Sequence, residues 1–145
     1  MHYFILILLH LFAAFIFVGT VFFEVLMLEG IRKHVPKEAM RTIELAIGNR
    51  ARRFMPIVII VLYAAGIGLA WHYRALLAHP FSNSFGLLLS LKILLAISVL
   101  IHFISAITLS AKKRLRGVHF KYIHISVFLH MLGIIFLAKA MFFLH

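Results

Sequence analysis

The chain has 145 residues, of which 64% are hydrophobic, and a mean hydropathy of +1.08, far above that of a water-soluble domain. It has no cysteine, which excludes disulfides, thiolate catalysis, zinc ribbons and iron–sulfur clusters. Its formal net charge is +11, but twelve of the fifteen Lys and Arg fall in two short clusters between apolar runs, a membrane-topology pattern rather than a nucleic-acid-binding face.

A spanning helix needs about 20 mostly apolar residues. Four stretches qualify, at about 3–28, 56–73, 85–109 and 122–144. They predict an all-α, integral membrane four-helix bundle in a single domain, 1–145. Each stretch is rich in Leu, Ile, Val and Phe on all faces, so each meets lipid or protein all round. The first is read as a retained helix rather than a signal peptide, because only His2 precedes its apolar core and the charge follows it, at Arg32 and Lys33.

Between the first two stretches lie Arg32, Lys33, Lys37, Arg41, Arg50, Arg52 and Arg53. Pro36 suits a helix start, and Met40, Ile43 and Ile47 recur at helical spacing. This predicts a short helix on the membrane surface, its basic residues near anionic lipid; a solvated connector is the alternative. The loop joining stretches two and three holds only Arg74, with turn chemistry at His79-Pro80 and Ser82-Asn83-Ser84. The loop before the fourth stretch holds Lys112, Lys113, Arg114, Arg116 and Lys121. Positive charge marks the cytoplasmic side. Both basic loops are therefore expected inside, and the termini and the Arg74 loop on the periplasmic or outer side of a bacterial inner membrane. No tandem repeat or low-complexity tract is evident.

Ionisable groups inside apolar runs are costly and mark candidate sites. Here they are His10 and Glu24 in the first stretch, Lys92 and His102 in the third, and His124, His130 and Lys139 in the fourth, with His72 at the end of the second. At about 1.5 Å rise per residue, His10, His72, Lys92 and Lys139 converge on one outer layer if the helices bundle. Three chemistries suit the set. Imidazoles on facing helices hold haem, with Lys92, Lys139 or Arg74 as cations for its propionates; His10 is then the first ligand, His72 the best second, and His102 with His130 a further metal site. Copper is served by His with Met, as at His130-Met131 and Met141 with His145. Snorkelling lysines and hydrogen-bonding histidines are the structural alternative. Glu24 is expected to pair with Arg32, Arg52 or Arg53. Ala13, Ala14, Phe17, Thr20 and Glu24 share the broad face of His10. Ser98 and Ser105 flank the face of His102, and Gly66 and Gly68 form a thin wall.

These residues resemble a known group. His10 is followed by an aromatic-rich run with Gly19. The second stretch opens Arg52-Arg53-Phe54-Met55-Pro56 and continues Gly66-Ile67-Gly68-Leu69-Ala70-Trp71. The third has Leu91-Lys92 with His102 ten residues on. The pattern is similar to the superfamily that joins HemJ-type protoporphyrinogen oxidases with the CopD-type copper-resistance membrane domain. The chain looks like a divergent relative: Phe17 stands near the family's helix-1 tryptophan, Phe23-Glu24-Val25-Leu26 replaces its Pro-Arg-Leu-Phe, and Ile125-Ser126-Val127-Phe128 its Asn-Glu-x-Pro. The resemblance implies four membrane helices, haem b, and oxidation of protoporphyrinogen. His10 would be the axial ligand, and Lys92 the residue that binds a propionate or assists proton transfer. The expected function is a haem b redox protein of the membrane, in electron transfer or porphyrinogen oxidation coupled to quinone. The alternatives are copper transport and a small assembly subunit. The partners expected are lipid, quinone or porphyrinogen and no nucleic acid; a homodimer is also compatible with this layout.

Overall fold

A computed structural model of the chain describes residues 1–111 and 117–144, with backbone alone at 117–120. Lys112, Lys113, Arg114, Arg116 and His145 lie outside the described residues, as does the side chain of His119. Among the described residues all regular structure is helical. Four helical segments are long and apolar enough to cross a membrane, His2–Ile31, Lys37–His72, Ser84–Ala111 and Lys121–Phe143; this is the architecture of a multi-pass membrane protein. The chain divides into two compact units, Met1–His72 and Tyr73–His145.

The first unit is an antiparallel hairpin. Helix α1, His2–Phe22, runs into a π-helical segment, Phe23–Leu28, and a last α-turn, α2, Glu29–Ile31. The first membrane helix thus ends three residues beyond the predicted Leu28. Glu24 lies in the π segment, whose wider turn re-aims the side chains on it. Ala13, Phe17 and Val21, four residues apart, form the buried stripe of α1. Phe4, Leu11, Phe12 and Phe15 are exposed, as suits a surface that meets lipid rather than water.

The partner, α3, is one helix from Lys37 to His72, with Pro56 inside it. This corrects the expectation of a separate surface helix and a span that begins at Pro56. Proline deprives a single carbonyl of its helical donor, and Asn49-Arg50-Ala51-Arg52-Arg53 before it contains no glycine or proline to stop the helix. At 36 residues, α3 is about 54 Å long, well beyond a hydrocarbon core of about 30 Å. Its basic first half therefore extends past the apolar stretch. Arg32 ties the two ends of the connection together: its Nε donates to Glu29 Oε2 at 3.0 Å, and its Nη2 pairs with Glu44 on α3. Burial opposes the Arg32 charge, but the hydrogen bonds and charges of Glu29 and Glu44 outweigh it and hold its pKa above the ordinary value. A raised cation pKa stabilises at every pH below the ordinary value and is lost only in strong alkali, so this link is constant across physiological pH. Arg52 donates to Asn49. Two of the three arginines expected against Glu24 are thus engaged elsewhere. Because Arg32, Glu29 and Glu44 are all partly exposed, Arg32→Ala is expected to cost at most about 1 kcal/mol, read as a small loss of thermal stability in detergent.

The second unit begins with α4, Arg74–Ala78, which packs on the start of α5, Ser84–Ala111. The predicted turn chemistry appears between them. Ser82 Oγ donates to the His79 carbonyl at 2.7 Å, and Asn83 Oδ1 accepts the Gly86 N–H at 2.6 Å. Asn83 is thereby the N-cap of α5. Helix α6, Gly117–Phe143, lies antiparallel to α5, with Phe85 edge-on to Phe142 at 5.6 Å. Leu89, Val99, Val127, Met131, Ala140 and Met141 are buried.

Candidate functional site

Each hairpin holds histidines at its seam. In the first, His10 of α1 reaches across to α3, its Nδ1 2.9 Å from the Leu62 carbonyl oxygen. A carbonyl only accepts, so Nδ1 carries the proton and donates, and Nε2 is the acceptor nitrogen of the neutral ring. Gly66 makes this approach possible. A Cβ there would lie 3.1 Å from His10 Cε1 and 3.3 Å from Nδ1. Gly68 does the same for Leu6, whose Cδ1 lies 3.0 Å from the position of an added Cβ. The thin wall read at Gly66 and Gly68 is therefore the surface on which α1 rests. On the expected face of His10, Ala13 and Phe17 are buried, and Thr20 turns its hydroxyl to its own helix, at the Ile16 carbonyl.

His72, at the end of α3, is exposed. Its Nδ1 donates to the Gly68 carbonyl at 3.0 Å, and its ring tilts against Tyr3 at 4.8 Å between centroids. Tyr3 is seven residues from His10, so His72 lies about 10 Å from His10 along the hairpin. Metal–imidazole bonds are about 2 Å, so two axial nitrogens of one iron stand about 4 Å apart. His10 and His72 do not meet that spacing in this hairpin. This removes the reason for choosing His72 as second ligand.

In the second hairpin, His102 of α5 and His130 of α6 face each other with centroids 5.3 Å apart and planes at 54°. Each Nδ1 donates to the carbonyl four residues back in its own helix, His102 to Ser98 and His130 to Ser126, both at 2.7 Å. Each Nε2 then accepts from the serine of the opposite helix at 3.0 Å, His130 from Ser98 and His102 from Ser126. Both ring nitrogens of both histidines are occupied, so a metal ion would have to displace the serine hydroxyls. Met131, the residue proposed with His130 for copper, is 2% exposed and packed in the core. No group of three or more His, Cys, Asp or Glu among the described residues is arranged to hold a metal ion.

The lysines divide. Lys139 is exposed, as a snorkelling side chain is. Lys92 is half-buried on α5, six residues and so about 9 Å before Ser98. The second unit contains no acidic side chain, since Glu24, Glu29, Glu38 and Glu44 are the only acidic residues of the chain. Lys92 therefore has no acidic side chain of its own unit as a partner. Arg74 is the first residue of α4. His10 with His72 and Lys92 with Lys139 belong to different units.

The serine partners are what sequence reasoning missed. Ser98 stood out beside His102, but Ser126 did not stand out beside His130. The available signal was the recurrence of Ile97-Ser98-Val99 with His102 as Ile125-Ser126-Val127 with His130.

No family model, no curated protein and no solved structure matches this chain.

Proposed function

We propose that this is a multi-pass protein of a bacterial inner membrane that binds haem b through His10 and works in redox chemistry, either electron transfer or oxidation of a porphyrinogen-like substrate. One observation carries the reading: the His10 Nδ1–H is donated to the Leu62 carbonyl. Histidines that ligate metals almost always give their other N–H to a carbonyl or carboxylate, which fixes the tautomer and makes the ligating nitrogen more basic. His102 and His130 each spend Nε2 on a serine of the facing helix and Nδ1 on a carbonyl of their own, so of these three histidines His10, with its carbonyl partner on the facing helix, is the best fit. When bound, haem supplies one-electron chemistry, at a potential tuned by this ligand and its hydrogen bond.

The likeness of His10, Leu91-Lys92 and Gly66–Trp71 to the HemJ type supports the same reading, and the loop charges support termini on the outer side. Lys92 is the residue for substrate chemistry, because a lysine inside an apolar helix with no acidic side chain in its unit suits an acidic group of a ligand. We expect Lys92→Ala to abolish oxidation of protoporphyrinogen, assayed by the appearance of porphyrin fluorescence, while the haem spectrum of the purified protein stays unchanged. Loss of both together would remove the separate role of Lys92. Copper transport is not favoured by the packing of Met131 or by the hydrogen bonds of His130.

A further inference from the structure

The two helices of the second hairpin carry the same short sequence in the same surroundings. Ile97 and Ile125 are both exposed and Val99 and Val127 both buried. Ser98 and Ser126 both donate across the seam, and His102 and His130 both accept. The four hydrogen bonds close on themselves. Ser98 gives its hydroxyl to His130, which gives its Nδ1–H to the Ser126 carbonyl. Ser126 gives its hydroxyl to His102, which returns its Nδ1–H to the Ser98 carbonyl. An antiparallel pair of identical stretches has a two-fold axis between its helices, and each stretch meets its own copy there. We propose that Ile-Ser-Val-x-x-His is a self-complementary pairing motif, and that the Ser98–His130 and Ser126–His102 bonds select a single register for α5 against α6.

The chemistry favours such a device. Between helices in lipid there is little hydrophobic gain, so small residues and hydrogen bonds decide the pairing. The buried side chains of this seam, Leu89, Val99, Val127, Met131, Ala140 and Met141, are apolar and discriminate less sharply than hydrogen bonds against a slip of one turn. A one-turn slip breaks both serine–imidazole bonds: in one direction it sets His102 level with His130 and Ser98 level with Ile134, and in the other it sets His130 level with Leu94 and the two serines level with each other. The flanking contacts agree with the selected register: Leu95 Cδ1 lies 3.0 Å from where a Cβ on Gly133 would stand, and Phe85 meets Phe142. In this account the two histidines are pairing residues and carry no ligand.

Because the chain has no cysteine, the register can be read directly in the full-length protein in liposomes. Leu95→Cys with Gly133→Cys is expected to cross-link on mild oxidation in preference to the one-turn-offset pairs, Leu95→Cys with Leu129→Cys or with Leu137→Cys. Replacing Ser98 and Ser126 together with alanine is expected to reduce that preference roughly 5- to 10-fold, the worth of two interhelical hydrogen bonds. Threonine at both positions keeps the hydroxyls and restores it. Nitrogen-15 spectra of labelled histidine in the wild-type protein should show His102 and His130 protonated on Nδ1, assigned by their loss in His102→Asn and His130→Asn. An unchanged cross-linking preference in the alanine variant, or protons on Nε2 in the wild type, would overturn the proposal. The second measurement decides the matter even if the alanine variant does not accumulate.

Discussion

Alanine at position 10 is expected to leave the purified protein without haem, with the porphyrin band lost while the chain still inserts in the membrane. Loss of a group that only orients a metal-bound histidine costs about 10–100-fold in affinity, so loss of the ligand itself costs more. The hairpin should survive the change. The bond from His10 to the Leu62 carbonyl is worth on average about 0.6 kcal/mol in a membrane protein, and the buried stripe of Ala13, Phe17 and Val21 is untouched. The measurement is haem per protein after purification in detergent, compared with wild type and with His72→Ala. The exposed His72 lies about 10 Å away along the hairpin, and its loss is expected to leave haem content near the wild-type value. Equal haem content in the wild type and the His10 variant would end the assignment.

Leucine at position 66 is expected to have nearly as large an effect without touching the ligand. An added Cβ would stand 3.1 Å from His10 Cε1, a contact that a small shift of the ring can relieve. Gly66→Ala should therefore keep most of its haem. Leucine places three further carbons in the space the imidazole occupies, and the ring must leave the Leu62 carbonyl. The orienting hydrogen bond is then broken, and haem affinity should fall by about 10–100-fold, read by titration of haem into protein made without it. Gly68→Ala is the control, since its neighbour is the aliphatic Leu6. Gly66→Leu protein that binds haem as tightly as wild type would show that His10 does not act from this position.

The four membrane helices were legible because a continuous apolar run of about 20 residues has few other uses. Their ends were less so. The break expected at Pro56 is absent, because a helix already formed on both sides loses one hydrogen bond at proline rather than its path. The π segment at Phe23–Leu28 left no mark in composition. His10 was legible as an isolated imidazole in a greasy helix, and Gly66 as a thin wall, but nothing in either stretch alone says that one rests on the other. The ring of Ser98, His102, Ser126 and His130 depends on register, which is a property of two helices together. Serine is also common in membrane helices, so Ser126 stands out only when α6 is laid antiparallel to α5. Depth along a helix could not show that His102 and His130 use up both nitrogens on serines and carbonyls.

The central claim is that the imidazole of His10 is held ready for an iron porphyrin. The most direct test is a visible spectrum of the full-length protein, expressed with ample iron, purified in detergent, and recorded first in air and then after dithionite. The account predicts a Soret band in air that shifts and sharpens on reduction, with resolved bands at longer wavelength. A pure, well-folded and colourless preparation that also takes up no added haem would contradict it.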